Sequence, residues 1–395
     1  MNTETQQFIS DNIDVDIHNL ALNSTHNKQV DLALAIRQIN GKQKTKNKIP
    51  QFFDNDGILF PVQLSLEQSS SELTAKYKSE LCSGDSLVDL TGGFGVDCFF
   101  MAQKFRQVIY IERDTELCYL AKHNFKILDS NNIEVKNTTS EIFLEKINIV
   151  DWIYIDPARR GTNGKKLVLL SDCEPDINLI QDLLLKKSNS ILVKLSPMMD
   201  ISAAIQNLQT CCEVHILSIE NECKEILLIL SHSKCINIKV KTINIQKNGL
   251  NQTFEYNFND EKNASISLTS NLEKYLYEPN SAIMKSGAFK TISEQFKIPK
   301  LHVNTHLYTS NELITNFPGR IFEVIKTWEN SKNELKKLVH KIPKANLSVR
   351  NYPTTVENFR KKLNIKDGGD VYLFACRVGA DKKQIIECKK AKLTD

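Results

Sequence analysis

From residue 86 to about residue 230, short apolar segments alternate with helix-like stretches, and no other feature limits the possible folds of this chain as strongly. The apolar segments are Leu87-Val-Asp-Leu90, Gln107-Val-Ile-Tyr-Ile-Glu112, Ile133-Glu-Val135, Trp152-Ile-Tyr-Ile-Asp156, Ser190-Ile-Leu-Val-Lys-Leu195, Glu213-Val-His-Ile-Leu217 and Ile226-Leu-Leu-Ile-Leu230. Such alternation predicts an α/β, Rossmann-like sheet, mostly parallel, with helices on both faces. Only a short segment around Glu220-Asn-Glu-Cys-Lys224 separates the last two strands. It is too short for a helical crossover, so these two are expected to pair antiparallel. A parallel sheet with one antiparallel strand is not the plain dinucleotide-binding layout.

At 395 residues the chain is long enough for more than one domain. The pattern predicts an N-terminal helical segment over 1–75, ending in a helix over 65–77, and a ligand-binding α/β domain over 76–270. A small ferredoxin-like or linker region is expected over 271–319 and a basic mixed α/β domain over 320–395. The first 50 residues read as helical, with apolar residues clustered before Gly41 and the basic run Lys42-Gln-Lys-Thr-Lys-Asn-Lys48 as a connector or a phosphate contact. Residues 234 to 270 alternate as strands around the Asn248-Gly249 turn, and Gly368-Gly369-Asp370-Val-Tyr-Leu-Phe-Ala-Cys376 reads as the final strand. Charge is uneven: from Arg320 to Asp395 there are 18 Lys and Arg against 9 Asp and Glu, so a net +4 chain carries +9 there and −5 elsewhere. That concentration is expected of a surface that holds a polyanion, although solvated lysines would give the same count.

The ten cysteines form no C-x-x-C pair, so neither a disulfide framework nor a zinc ribbon is expected and all are read as free thiols in a cytoplasmic protein. His302-x-x-x-His306 lacks the glutamate of a zinc protease motif and has no obvious third ligand, so no metal is expected. The apolar runs are strand-sized, and acidic residues within the first sixteen positions argue against a signal peptide, so no membrane association is expected. Oligomeric state leaves no mark in the sequence.

The first strand runs into Asp89-Leu-Thr-Gly92-Gly93-Phe-Gly95-Val-Asp97. Glycines there let a turn approach a ligand closely, and the next helix points backbone N–H groups at it. The second strand ends at Glu112, placed to accept hydrogen bonds from both hydroxyls of a ribose. Nicotinamide and flavin sites ask for G-x-G-x-x-G, but counting from Gly93 the third glycine position is Cys98. An acidic residue opening the motif and an antiparallel last strand point instead to S-adenosylmethionine. The fourth strand ends in Asp156-Pro157-Ala158-Arg159-Arg160, at the carboxyl edge where open α/β sheets bind ligands.

At these residues the chain resembles the class I S-adenosylmethionine-dependent methyltransferases, and within them a bacterial family that ends in a THUMP-like domain. Further stretches carry the resemblance: Leu66-Glu-Gln-Ser-Ser-Ser-Glu-Leu-Thr-Ala75, Val193-Lys-Leu-Ser-Pro197, Ala345-Asn-Leu-Ser-Val-Arg-Asn-Tyr-Pro353 and Lys366-Asp-Gly-Gly-Asp370. The resemblance implies that Glu112 holds the ribose and that Asp89, Gly92, Gly93 and Gly95 line the methionine end, with Thr91, Phe94, Arg113 and Asp156 also at the cofactor. Gln68 and Asp97 either reach the cofactor or cap a helix. Asp156 and Pro157 are implied as the acceptor-aligning pair. Arg159 stands where amine-methylating relatives place an aromatic residue, which argues against exocyclic-amine methylation, and the absence of a cysteine after Lys194-Leu-Ser-Pro197 argues against covalent uracil-C5 chemistry. Arg159 and Arg160 suit phosphate or a local carboxylate. Lys194 orients the acceptor, assists deprotonation or is a strand-end charge.

The THUMP-like segment implies a structured RNA partner, with tRNA a candidate. Arg350, Asn351 and Tyr352 either contact RNA or serve the domain's own core. The expected activity is methyl transfer to RNA. A small-molecule methyltransferase and a non-catalytic RNA-binding scaffold stand as alternatives.

Overall fold

The computed structural model describes residues 1–23, 29–159 and 170–392, which fall into two compact units: Met1–Cys212 with Leu227–Cys235, and Glu213–Ile226 with Ile236–Asp395. The first unit holds β1 (Gly84–Asp89), β2 (Phe105–Glu112), β3 (Ile133–Asn137), β4 (Val150–Ile155) and β7 (Ser188–Leu195), with β5 (Ala158–Arg159) and β6 (Cys173–Glu174) as a separate two-residue ribbon. The five longer strands lie in the order β7-β4-β1-β2-β3, every neighbouring pair parallel. Leu87, Val88, Val108, Tyr110, Ile153, Tyr154 and Leu192 are buried, as expected of strands whose two faces are both covered. The helices Val96–Ala102, Thr115–Ile127, Ser140–Lys146 and Ile177–Lys187 make the returns. Asp114, Thr139 and Asp176 cap three of them by accepting first-turn amide N–H bonds.

The N-terminal helices differ from expectation at two points. The basic run expected as a connector or phosphate contact is the C-terminal part of the helix Leu32–Lys48. A Cβ at Gly41 would lie 2.9 Å from Phe60 Cδ2 and closer still to its Cβ and Cγ, so this glycine admits a neighbouring side chain within that helix. The lysines beyond it are tied down: Lys42 pairs with Asp56, Lys44 with Glu67, and Lys48 donates to the Leu66 and Glu67 carbonyls. Next, the single helix expected over 65–77 is two, Gln63–Gln68 and Glu72–Ser79, because Ser71 breaks off to cap the second. The break leaves Ser70 buried between them.

In the second unit a two-residue turn, Glu220 and Asn221 at φ 50° and 65°, joins β8 (Cys211–Ile219) to β9 (Glu222–Ser231) as the expected hairpin. The strand β10 (Lys239–Ile245) pairs parallel with β8 and antiparallel with β11 (Gln252–Asn257). A separate six-stranded sheet contains β12 (Tyr275–Pro279), β13 (Tyr308–Ser310), β14 (Gly319–Glu329), β15 (Asn346–Arg350), β16 (Val371–Val378) and β17 (Lys382–Lys390), ordered β13-β12-β14-β17-β16-β15. Along β16 the pleat sends Leu373 and Ala375 into one apolar cluster and Phe374 and Cys376 into another. The helices Lys332–Lys341 and Val356–Leu363 close the first cluster with Leu335, Leu338, Phe359 and Leu363. The expected final strand is therefore not the last. Paired lysines at both ends of β17 mask its apolar centre, Ile385-Ile386, in the sequence.

One pair of cysteines also departs from expectation. Cys212 and Cys235 are joined by a disulfide with Cα atoms 5.2 Å apart, because the chain returns along β9 to bring them together, while the other eight are free thiols. No helix among the described residues is long and apolar enough to cross a membrane.

Candidate functional site

The turn after β1 is built by backbone bonds that need glycine. Gly93 and Gly95 adopt φ 54° and 85°, the left-handed region, and Gly95 N–H donates to the Gly92 carbonyl at 2.8 Å. Gly92 is required for a different reason: a Cβ there would lie 2.5 Å from Tyr110 Cδ2 and closer still to two other ring atoms. The Tyr110 hydroxyl donates to the Gly93 carbonyl at 2.5 Å, so β2 supports the turn from beneath. Glu112, at the end of β2, accepts from Gly93 N–H and Asp114 N–H at 2.9 Å each, one on each carboxylate oxygen. It remains partly exposed, and each oxygen keeps a lone pair for a ligand hydroxyl.

Asp89 is buried at the base of the same turn. Its Oδ1 accepts from Thr91 N–H at 3.0 Å, while Oδ2 is buried with no hydrogen-bond partner. Burial pushes this carboxyl well above the usual carboxylate range, and the charges of Asp97, Asp156 and Glu112 add to the shift. An orphaned buried oxygen beside a glycine turn is what a cationic or N–H-bearing ligand group would satisfy.

One strand away, Asp156 follows β4 and its amide donates to Thr91 Oγ1 at 2.6 Å, which ties the two strand ends together. Its Oδ2 lies 2.5 Å from Lys194 Nζ, the penultimate residue of β7. Lys194 also donates to Ser70 Oγ at 3.0 Å and stands 3.7 Å from Asp97 Oδ2. Beneath that pair, Asp97 accepts from Ser70 Oγ and Tyr154 Oη at 2.7 Å each and pairs with Lys78 Nζ at 3.1 Å. Lys78 is 0% exposed and also donates to Ser70 Oγ at 3.2 Å. Two carboxylates and two ammonium groups thus surround one serine hydroxyl.

The other candidate residues are placed as follows. Phe94 faces inward, against Phe52 and Phe60. Arg113 is exposed and pairs with Glu174 at 2.6 Å. Gln68 ends its helix in solvent, and Asp97 is not a cap, since Gly95 occupies the N-cap of its helix. Pro157 is buried beside Asp156. Arg159 contributes backbone to β5, and Arg160 lies outside the described residues. Ser70, Lys78 and Tyr154 escaped the sequence reading: a serine in a polar run, a helical lysine and a tyrosine in an apolar strand carry no mark of partnership.

In the second unit Arg350 is committed to the protein itself. Its guanidinium donates to Glu278 Oε1 through Nε and Nη2, at 3.0 and 2.6 Å, and Arg320 takes the other oxygen of a carboxylate that is only 4% exposed. Asn351, at φ 51°, approaches His302 Nδ1 at 3.1 Å with its side-chain amide. Tyr352 packs against Phe359, and its hydroxyl is buried. His302 pairs with Asp381 at 3.1 Å and His306 stacks on Phe289, so the two do not converge on a common point. No group of three or more His, Cys, Asp or Glu among the described residues could hold a metal ion.

Comparison with known proteins adds the following. Residues 275–318 match a ferredoxin-like domain family, and residues 319–390 match the family described as THUMP domain-like. A crystal structure from Porphyromonas gingivalis W83, provisionally assigned as a methyltransferase, is 33% identical, with 98% of each chain covered and a TM-score of 0.89. More distant are an rRNA methylase from Streptococcus thermophilus, 13% identical over 40% of this chain and 93% of its own, TM-score 0.30, and a provisionally assigned methyltransferase from Streptococcus mutans in complex with SAH, 11% identical over 40% of this chain and 96% of its own, TM-score 0.31. Nothing rests on the last two. No curated protein matches.

Proposed function

The chain belongs to the bacterial family of class I methyltransferases that end in a THUMP-like domain, and on that premise we propose that it methylates a structured RNA, with S-adenosylmethionine as donor and tRNA as the first substrate to try. The observation that supports this reading is the meeting, at one edge of the parallel sheet, of two sets of groups. The glycine turn brings Glu112 and the orphaned Asp89 Oδ2, and the neighbouring strand end brings the Asp156–Lys194 pair.

The residues present fit that cofactor. Glu112 has lone pairs for two ribose hydroxyls, Asp89 Oδ2 would accept from an ammonium group, and the bare Cα atoms of Gly93 and Gly95 allow close approach. When bound, S-adenosylmethionine supplies an electrophilic methyl group on a sulfonium sulfur. The protein's own contribution is alignment. Asp156, with a side chain 34% exposed, keeps Oδ1 for a donor hydrogen of the acceptor while Lys194 fixes Oδ2. Lys194 acts on the acceptor through Asp156, whose carboxylate it holds in one orientation. For the RNA, exposed Lys336 on one helix and Lys361 and Lys362 on the other provide phosphate contacts, since Arg350 is already occupied by Glu278.

Calorimetric titration with S-adenosylmethionine, S-adenosylhomocysteine and NADH tests the first half, and labelled-methyl transfer to total RNA tests the second. Binding of the first two that is lost in Glu112→Ala, together with transfer abolished in Asp156→Ala, is the expected result. Selective NADH binding, or normal turnover by Asp156→Ala, refutes the proposal.

A further inference from the structure

Both carboxylate oxygens of Asp97 face groups of the protein, although Oδ1 makes an ion pair and no hydrogen bond. Oδ2 accepts from the Ser70 and Tyr154 hydroxyls, and Oδ1 faces Lys78. Ser70 gives its one proton to Asp97, so its lone pairs are turned toward Lys78 at 3.2 Å and Lys194 at 3.0 Å. The two ammonium groups share one acceptor and stand no more than about 6 Å apart, a separation at which like charges oppose each other strongly away from water. Two carboxylates balance them: Asp97 from below and Asp156 from the acceptor side.

We infer that Ser70, Lys78 and Asp97 are positioning residues that hold the Lys194 ammonium against Asp156, so that Asp97 serves the acceptor edge and not the cofactor. This rests on the methyltransferase reading for its meaning, but the arrangement can be tested without any cofactor. Burial by itself would raise the Asp97 carboxyl; the Lys78 and Lys194 charges and the Tyr154 and Ser70 hydroxyls outweigh it and hold the group at about 2. The carboxylate is therefore charged at every pH at which Lys194 titrates. Among the described residues, the charged and titratable groups around Lys194 include Asp156, which follows β4, and Asp97 from its helix, with Tyr154 from β4 and Lys78 from the helix before β1 bound to Asp97 in turn, and Asp89 and Glu112 act on Asp156 and Asp97 from the glycine turn.

The test is an NMR titration of 13Cε,15Nζ-lysine-labelled protein, with the Lys194 signal assigned by its loss in Lys194→Met. In Asp97→Asn, which keeps the shape and removes the charge, the Lys194 midpoint should fall by about one pH unit or more, a tenfold change in its proton affinity. S-adenosylhomocysteine affinity, measured separately, should stay within about threefold. Ser70→Ala removes the oxygen that accepts from Lys194 and leaves a small side chain; its shift should have the same sign and be smaller, and it carries the test if Asp97→Asn does not fold. An unmoved Lys194 midpoint in a folded variant overturns the inference. So does a tenfold loss of S-adenosylhomocysteine affinity with Lys194 unmoved, which would return Asp97 to the cofactor. Failure of the wild type to bind S-adenosylmethionine would instead count against the methyltransferase reading, and the titration would still report on the network.

Discussion

Gly92→Ala is expected to damage the cofactor turn by collision. The new methyl group would lie 2.5 Å from Tyr110 Cδ2 and closer to Cε2 and Cζ, whereas carbon atoms in contact need roughly 3.5 Å, so the ring must retreat by about 1 Å or more. It has little room to do so, because Tyr110 is 0% exposed and packs edge-on against Phe125 at 5.6 Å between ring centroids. Overpacking of that kind costs about 1–3 kcal/mol. The displaced hydroxyl also gives up its bond to the Gly93 carbonyl, for about 1 kcal/mol more. The expected total is about 2–4 kcal/mol, read as a lowered urea midpoint in circular dichroism. S-adenosylhomocysteine affinity should fall as well, since Gly93 N–H anchors Glu112. Gly92→Ala combined with Tyr110→Leu removes the ring and should recover part of the midpoint. A single variant with wild-type midpoint and affinity would refute the packing argument, as would a double variant with purely additive losses.

Stability of the second unit should rise between about pH 4 and pH 6.5. Burial, reinforced by Lys300 and Arg350, lowers the His306 imidazole to about 4, so the fold holds it neutral, and the stability it contributes is present above 6.5 and lost as pH falls through that window. Urea midpoints across the range should show the slope in wild type and lose it in His306→Leu. Arg350→Ala leaves the buried Glu278 with Arg320 alone and should destabilise by about 1–2 kcal/mol, moderated by the partial exposure of both arginines; thermal melts check this, and the salt dependence of RNA binding should stay unchanged. Conversely, Lys361→Ala with Lys362→Ala should leave the melting temperature within a degree or two and lower the slope of log affinity against log salt by about 0.7–0.9 for each phosphate no longer neutralised.

The repeating strand–helix order, the parallel sheet, the antiparallel hairpin and the edge at which Asp89, Glu112 and Asp156 gather are all legible in the chain before it folds. Those follow from short-range pattern: a continuous apolar strand must be covered on both faces, and a two-residue connection forbids a crossover. Gly93 and Gly95 were legible in the same way, as backbone requirements. The use made of each remaining residue depends on partners far apart in the chain and emerges only on folding. Gly92 and Gly41 are glycines because Tyr110 and Phe60 occupy the space, and the basic run that reads as a connector lies within the same helix as Gly41. Cys212 meets Cys235 after 23 residues, and Arg350 meets the buried Glu278 carboxylate across 72. The Lys78–Asp97–Ser70–Lys194 set is the extreme case. Its members come from three helical or loop segments and a strand, each with an ordinary local pattern, and only burial obliges them to neutralise one another.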